Sequence, residues 1–336
     1  MSYAAIVMSR ADEELVRRQT WIRDVRSLRE NYLGVESSKG LALLVRDVLR
    51  DRGIVKGKIG IAGVGVTWGL YNALVKVLPR SRFISCTEEV DRLRMVRTEN
   101  ELRIMHKAAE IGMAGVEALL ETGREGVAEF EVHLAVEKAM FDAGGDGPWS
   151  VILSGLRSVI PYISPDYTQR KLRDGDMVYA DIGTEFMGYH SDIQPAYIVG
   201  RGSKHQLRLI ETSLSMIRVM IGATRPGVTD TQVLRAAYKM LDGNPFRDYV
   251  RTWTLGHGYG VGLDPPDLTG TTLTLPKDRQ MRLQRNMLLC YEPGIFVPGV
   301  GGAAVEDEVI VTENGCEVLT KCAKRAEELL EAQHSA

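Results

Sequence analysis

The chain has 336 residues, of which 44% are hydrophobic and 26% charged, and its formal net charge is −2, as in an ordinary soluble protein of one or two domains. This balance gives no reason to expect nucleic acid or an anionic membrane as a partner, and no apolar run reaches the ~18 residues that a membrane span needs. A signal-peptide pattern and CxxC cysteine spacing are also missing from the sequence, so we expect a reduced, cytoplasmic protein.

Residues 1–88 are predicted to form an α/β domain. A strand at 4–8 precedes helices at 12–25 and 37–52, and a buried strand at 58–63 precedes a helix at 71–78. The glycines at 60, 63 and 65 do not form a GxGxxG motif followed by a helix start, which argues against a nucleotide site.

Residues 89–336 are predicted to form an α+β domain. A long amphipathic helix at 98–121 begins with a capping box made by Thr98 and Glu101. The remaining predicted elements, in chain order, are a helix at 128–143, strands at 149–153, 176–184 and 191–199, helices at 205–221 and 231–241, strands at 287–297 and 304–312, and a charged helix or frayed end at 323–336.

Four acidic residues in this second domain each lie in a segment with the pattern of a strand: Asp181, Asp192, Glu292 and Glu306. A hairpin around 185–188 is predicted to bring Asp181 and Asp192 within a few ångströms of each other. A carboxylate in an apolar strand is costly unless it is paired, neutralised or bound to a cation. Because hard oxygen ligands suit divalent metals, the sequence predicts a metal-assisted hydrolase rather than an ion-pair network at strand edges.

The segments DIGTEFMGYHSD (181–192), LCYEPGIF (289–296) and VEDE (305–308) resemble the pita-bread-fold metallopeptidases, the group of methionine aminopeptidase, aminopeptidase P and prolidase. Creatinase and ectoine hydrolase are non-peptidase relatives of this group. The resemblance covers about 90–320, and residues 40–90 resemble the later part of the creatinase/prolidase N-terminal domain. It implies a pita-bread fold after a shortened N-terminal domain, and a homodimer.

The resemblance also implies a cofactor of two divalent metal ions, which are usually manganese, cobalt, iron or zinc. In the family they are held by two Asp, one His and two Glu, and a bridging water attacks an amide carbonyl. Glu292 would act as the proton shuttle to that water. The positions that correspond to the ligands here are Asp181, Asp192, His257, Glu292 and Glu306.

Several histidine positions of the family are changed in this chain. The ligand histidine normally lies in Gly-His-Gly-x-Gly, seven positions before a catalytic histidine, and the segment here is LGHGYGVGLDPPD (255–267). Alignment from the left makes His257 the ligand, whereas alignment from the right places Tyr259 at the ligand position and Pro266 at the catalytic one. Tyr162 stands where a substrate-contacting histidine follows a proline. The candidate catalytic residues are therefore Glu292, Tyr162, His257 and Tyr259, and further replacements near the acids are Tyr189, His190 and Tyr291.

Three functions follow as hypotheses. The leading one is a dinuclear-metal hydrolase of a C–N bond in a small peptide or small amide, similar to Xaa-Pro dipeptidases and aminopeptidases but with a diverged active site. The alternative is a non-peptidase enzyme of the creatinase or ectoine hydrolase kind that acts on a small polar metabolite, with or without metal, and the changed histidines favour it. An inactive binding module is the third, and the four retained acids argue against it.

Overall fold

The structure is a computed structural model that describes residues 4–10, 13–28, 35–62, 66–160, 165–250, 255–258 and 280–335. Its chain divides into two units, Met1–Asp91 and Arg92–Ala336. In the described ranges no helix combines the length and the apolar character that crossing a bilayer requires.

Strands and helices alternate in the first unit and the segment that follows it. They are β1 Ala5–Met8, α1 Glu13–Gln19, β2 Asp24–Ser27, α2 Val35–Asp51, β3 Gly57–Ile61, α3 Trp68–Val77, β4 Ser81–Ser85 and α4 Thr87–Met95. Strand β1 pairs with β2 and β3 pairs with β4, both in parallel, as strands joined through a helix do. A small core around Ala42, Leu74 and Leu78 packs α2 against α3.

The predicted helix at 12–25 is wrong in its second half. Helix α1 ends at Gln19, and Val25 lies in β2 instead, opposite Ile6 of β1. Only 6% of Val25 is exposed. Burial of this apolar residue in a strand pair therefore outweighs the helical periodicity of the segment.

After the end of α4, the second unit contains five α-helices and ten strands in its described ranges. They are α5 Glu99–Thr122, α6 Glu129–Asp142, β5 Trp149–Ser154, β6 Met177–Phe186, β7 Tyr189–Ile193, β8 Tyr197–Ile198, α7 Lys204–Ala223, α8 Asp230–Met240, β9 Gly256–Gly258, β10 Leu288–Tyr291, β11 Gly294–Val297, β12 Gly301–Ala304, β13 Asp307–Val311, β14 Cys316–Val318 and α9 Cys322–Ser335. The strands form antiparallel sheets in the orders β5-β6-β7, with β8 on β6, β14-β13-β10-β9, and β11-β12. The predicted α+β class is confirmed.

Helix α5 packs closely on strands β6 and β7. Its predicted capping box is present, with the Thr98 hydroxyl accepting from the Glu101 N–H and the Glu101 carboxylate accepting from the Thr98 N–H. Gly112 allows the close approach, because a Cβ atom there would lie 2.7 Å from the Ser191 Oγ atom. The helix thereby covers the strand that carries Asp192.

Two segments predicted as single strands are each split in two, and a third begins later than predicted. The segment 191–199 gives β7 and β8 around Pro195, and 287–297 gives β10 and β11 on either side of Glu292 and Pro293. The strand predicted at 304–312 starts at Asp307 as β13, because Val305 and Glu306 lie between β12 and β13. Proline has no N–H to donate to a ladder, which explains the first two breaks. Glu292 and Glu306 therefore lie between strands rather than inside them.

Candidate metal centre

The β6–β7 hairpin places Asp181 and Asp192 on one face. Met187 and Gly188 form its tip with φ angles of 52° and 81°, the left-handed conformation of a tight hairpin turn. Gly183 lies directly opposite Asp192, so Asp181, two residues before Gly183, is a diagonal neighbour of Asp192 on the same side. The predicted hairpin is confirmed.

Three of the four predicted acids come together in the described residues. Asp181, Asp192 and Glu306 offer carboxylate oxygen atoms that all lie within 4.8 Å of one another. The exposed fractions of these residues are 3%, 6% and 0%. Carboxylates packed this closely in a buried site repel one another unless a cation or a proton lies between them. A set of hard oxygen donors of this kind fits divalent cations.

The fourth acid, Glu292, joins this group through Gln194. The side-chain Nε2 of Gln194 donates to Glu292 Oε2 at 3.1 Å, and both residues are buried. The main-chain oxygen of Gln194 accepts from the N–H of Glu306 at 2.9 Å. Gln194, which follows strand β7, is thus hydrogen-bonded to both Glu292 and Glu306. Sequence reasoning missed this role, although the position of Gln194 two residues after Asp192 was the available signal.

Tyr179 supports Asp181 in a similar way. Its hydroxyl donates to Asp181 Oδ2 at 3.1 Å, and the tyrosine is fully buried. The two residues lie two positions apart on β6 and so share a face. The hydrogen bond restricts the rotation of the Asp181 carboxylate.

A fifth acid, Glu308, lies next to the group and was not singled out from the sequence. Its Oε1 accepts from the main-chain N–H of Asp192 at 2.9 Å. Burial raises the pKa of the Glu308 carboxyl well above its usual range, and the negative charges of Asp192 and Asp307 raise it further, against the lowering effect of the Asp192 N–H. The signal in the sequence was the spacing of two from Glu306.

Cys290 lies between these acids and His257 in the sheet. Its register partners are Glu308 on β13 and His257 on β9. Burial raises the pKa of the Cys290 thiol well above its usual value, and the nearby carboxylates of Glu308, Glu306, Asp192 and Glu292 add to the rise. The thiol is therefore neutral at physiological pH. Only the main chain of His257 is among the described features, so its role as a ligand stays a prediction.

The predicted tyrosine replacements have different outcomes. Tyr162 and Tyr259 lie outside the described residues, as does Pro266, and their roles stay predictions. The hydroxyl of Tyr291 forms a 2.6 Å hydrogen bond with Thr224 Oγ1 in the core, where burial raises the pKa of Tyr291. The Tyr189 hydroxyl donates to Glu101 Oε1 at 3.3 Å. Tyr189 and Tyr291 thus use their hydroxyls for structural contacts, and His190 is buried on β7.

Comparisons with known proteins show which families and relatives this chain resembles. The model of metallopeptidase family M24 matches residues 103–313, and that of the creatinase/prolidase N-terminal domain matches residues 3–96. The Xaa-Pro dipeptidase of Pyrococcus furiosus is 33% identical over 233 residues, which are 68% of this chain and 64% of that protein. The Xaa-Pro dipeptidase of Pyrococcus horikoshii is 29% identical over 270 residues, 78% of this chain and 74% of that protein.

A solved structure shows the same fold. The Xaa-Pro dipeptidase from Bacillus anthracis superposes with a TM-score of 0.80 at 26% identity, over 94% of this chain and 83% of that one. Together with the two matched family models, this likeness confirms the predicted pita-bread fold and its creatinase-type N-terminal domain.

Proposed function

Because this chain belongs to metallopeptidase family M24, whose members are hydrolases, we propose that it is a dinuclear-metal enzyme that cleaves the C–N bond of an Xaa-Pro dipeptide or a related small amide. The observation that carries the proposal is the convergence of Asp181, Asp192 and Glu306 in a buried group of oxygen ligands. The two Pyrococcus relatives named Xaa-Pro dipeptidase support the substrate class.

Each residue of the centre would have a separate role in metal binding or proton transfer. Asp181, Asp192 and Glu306 would hold the ions, with Glu292 and His257 completing the ligand set. The bound ions would supply a Lewis acid and a water molecule that is acidic enough to react at neutral pH. Gln194, through its hydrogen bond, orients the Glu292 carboxylate. Glu292 takes a proton from the attacking water and gives it to the departing amine.

One changed histidine position concerns the substrate, since Tyr162 stands where the family has a substrate-contacting histidine. A tyrosine hydroxyl can donate a hydrogen bond to the developing oxyanion, the role that the resemblance gives to a histidine. Tyr162 and Tyr259 are the residues we propose for it. Such a replacement keeps the hydrogen-bond donor but removes a group that exchanges protons near neutral pH.

Metal analysis tests the proposal. Protein purified without chelators is expected to contain close to two divalent ions per chain by mass spectrometry, and to hydrolyse alanyl-proline only while metal is bound. Asp192→Ala should lose both the metal and the activity. Asp142→Ala is the matched control, because that aspartate lies at the exposed end of α6, where it pairs with Lys138.

Two outcomes would contradict the proposal. A wild-type chain that binds no metal after manganese or zinc is added back would exclude a metallohydrolase. Hydrolysis of a small metabolite such as creatine that survives exhaustive chelation would instead support the non-peptidase alternative.

A further inference from the structure

The side chain of Glu308 ties the strand of Asp192 to the strand that follows Glu306. We propose that Glu308 is a positioning residue, which fixes the main chain of Asp192 and thereby the place of its carboxylate in the metal centre. This inference rests on the proposed function, since the position of Asp192 matters in this way only if Asp192 binds a metal ion.

The register of the two strands explains why Glu308 reaches Asp192. Gln194 and Glu306 form an antiparallel bridge, in which the Glu306 N–H donates to the Gln194 carbonyl. Two residues further along each strand, this register places Asp192 opposite Glu308. There the Asp192 N–H donates to the Glu308 side chain instead of to a main-chain carbonyl. The Glu308 side chain thus adds a hydrogen bond between the two strands at a point where their described main chains form none with each other.

The acceptor itself is held rigidly. The main-chain N–H of Glu308 donates to Thr320 Oγ1 at 3.0 Å, and its carbonyl accepts from the Leu319 N–H at 2.8 Å. On the other side Glu308 is paired with Cys290 of β10. Glu308 is therefore anchored on both sides of β13, and only 1% of it is exposed.

A buried acidic side chain at this position is costly for folding alone. Among the described residues, Glu308 Oε2 has no hydrogen-bond partner although it is buried. A buried oxygen in this state lowers stability, and a strand needs no acidic side chain to complete a sheet. A role for Glu308 in the candidate metal centre would offset this loss of stability, because groups that orient metal ligands strongly affect metal affinity.

Calorimetric titration of the metal-stripped full-length chain with manganese chloride tests the inference. Glu308→Met removes the acceptor at similar length and is expected to weaken Mn²⁺ binding about 10–100-fold. Glu308→Gln keeps an oxygen that accepts from Asp192, so its affinity should stay within about threefold of wild type. Glu317→Gln is the control, because Glu317 is an exposed glutamate on β14 of the same sheet.

The possible results separate this inference from the proposed function. Wild-type affinity in Glu308→Met, or an equally weak Glu308→Gln, would overturn the positioning role while leaving the metal centre intact. No Mn²⁺ binding by the wild-type chain would overturn both. Circular dichroism of the metal-free variants checks folding. If Glu308→Met does not fold, Glu308→Asp, which is too short to reach the Asp192 N–H, should show the same 10–100-fold loss.

Discussion

The carboxylate of Glu129 is buried outside the candidate centre and is held by several hydrogen bonds. Its Oε1 accepts from the N–H and the hydroxyl of Ser154 at 2.8 and 2.6 Å, and its Oε2 accepts from the Thr168 hydroxyl at 2.6 Å. The Arg157 guanidinium lies 3.4 Å away. Ser154 and Thr168 bracket the segment that contains Tyr162, so Glu129 fixes both ends of that segment.

Glu129→Gln is predicted to lower the free energy of unfolding by about 1–3 kcal/mol, because an amide NH₂ replaces an acceptor oxygen and the ion pair with Arg157 is lost. Urea unfolding measures the change. Glu125→Gln, at an exposed position four residues before Glu129, should stay within about 0.5 kcal/mol of wild type. Equal stability of the two variants would contradict the role of Glu129.

At this scale the sequence revealed the acids but not the residues that hold them. Asp181, Asp192 and Glu306 are detectable because a carboxylate among strand-forming apolar residues is a local signal. Glu308 and Gln194 act on partners 116 and 98 positions away in the chain. Such contacts depend on the register between distant strands, which a local pattern does not contain.

Among the elements, the hairpin of β6 and β7 depends on a glycine. Gly183 is the register partner of Trp149 on one side and of Asp192 on the other. A Cβ atom at Gly183 would overlap with the carbonyl oxygen of Ser191 and with the Trp149 ring. The strands therefore approach each other, and the ring covers the sheet, only because position 183 has no side chain.

Gly183→Ala is predicted to destabilise the fold by about 1–3 kcal/mol, since the overlapping backbone atom cannot move without shifting β7. The same shift should weaken Mn²⁺ binding by displacing Asp192. Gly222→Ala in α7 is the matched control: nothing lies within 4 Å of the added atom, and alanine in a helix should stabilise by about 0.5–1 kcal/mol. Thermal unfolding with and without Mn²⁺ measures both effects, and a neutral Gly183→Ala would contradict the close approach.

Element prediction succeeded where periodicity was long and failed where pairing decided the structure. Helix α5 follows from its capping box and apolar spacing, both of which are local. Pro293 is a local signal for the break in the segment 287–297, but no local pattern shows that β10 joins one sheet and β11 another. The short strands β9 and β14 exist mainly through their partners β10 and β13.

At the scale of the whole chain, the candidate centre belongs to one of the two units. Asp181, Asp192, Glu292 and Glu306, as well as the main chain of His257, all lie in Arg92–Ala336. Strands β6 and β7 supply the aspartates, whereas the breaks beside β10 and β13 supply the glutamates. A cation bound by these aspartates and glutamates would therefore link the two sheets. In the described main chain, the bridge of Gln194 with Glu306 also connects them.

This arrangement predicts where bound metal stabilises the protein. A ligand at 100 times its dissociation constant adds about 2.7 kcal/mol to the stability of the structure it binds. Hydrogen exchange read by mass spectrometry should therefore show that Mn²⁺ slows exchange in residues 177–193 and 288–311, the strands around the acids. Residues 5–85 should be unchanged, because they belong to the other unit, and Asp192→Ala should abolish the effect. Equal protection of both units would mean that they unfold as one cooperative structure, and the metal would then stabilise the whole chain.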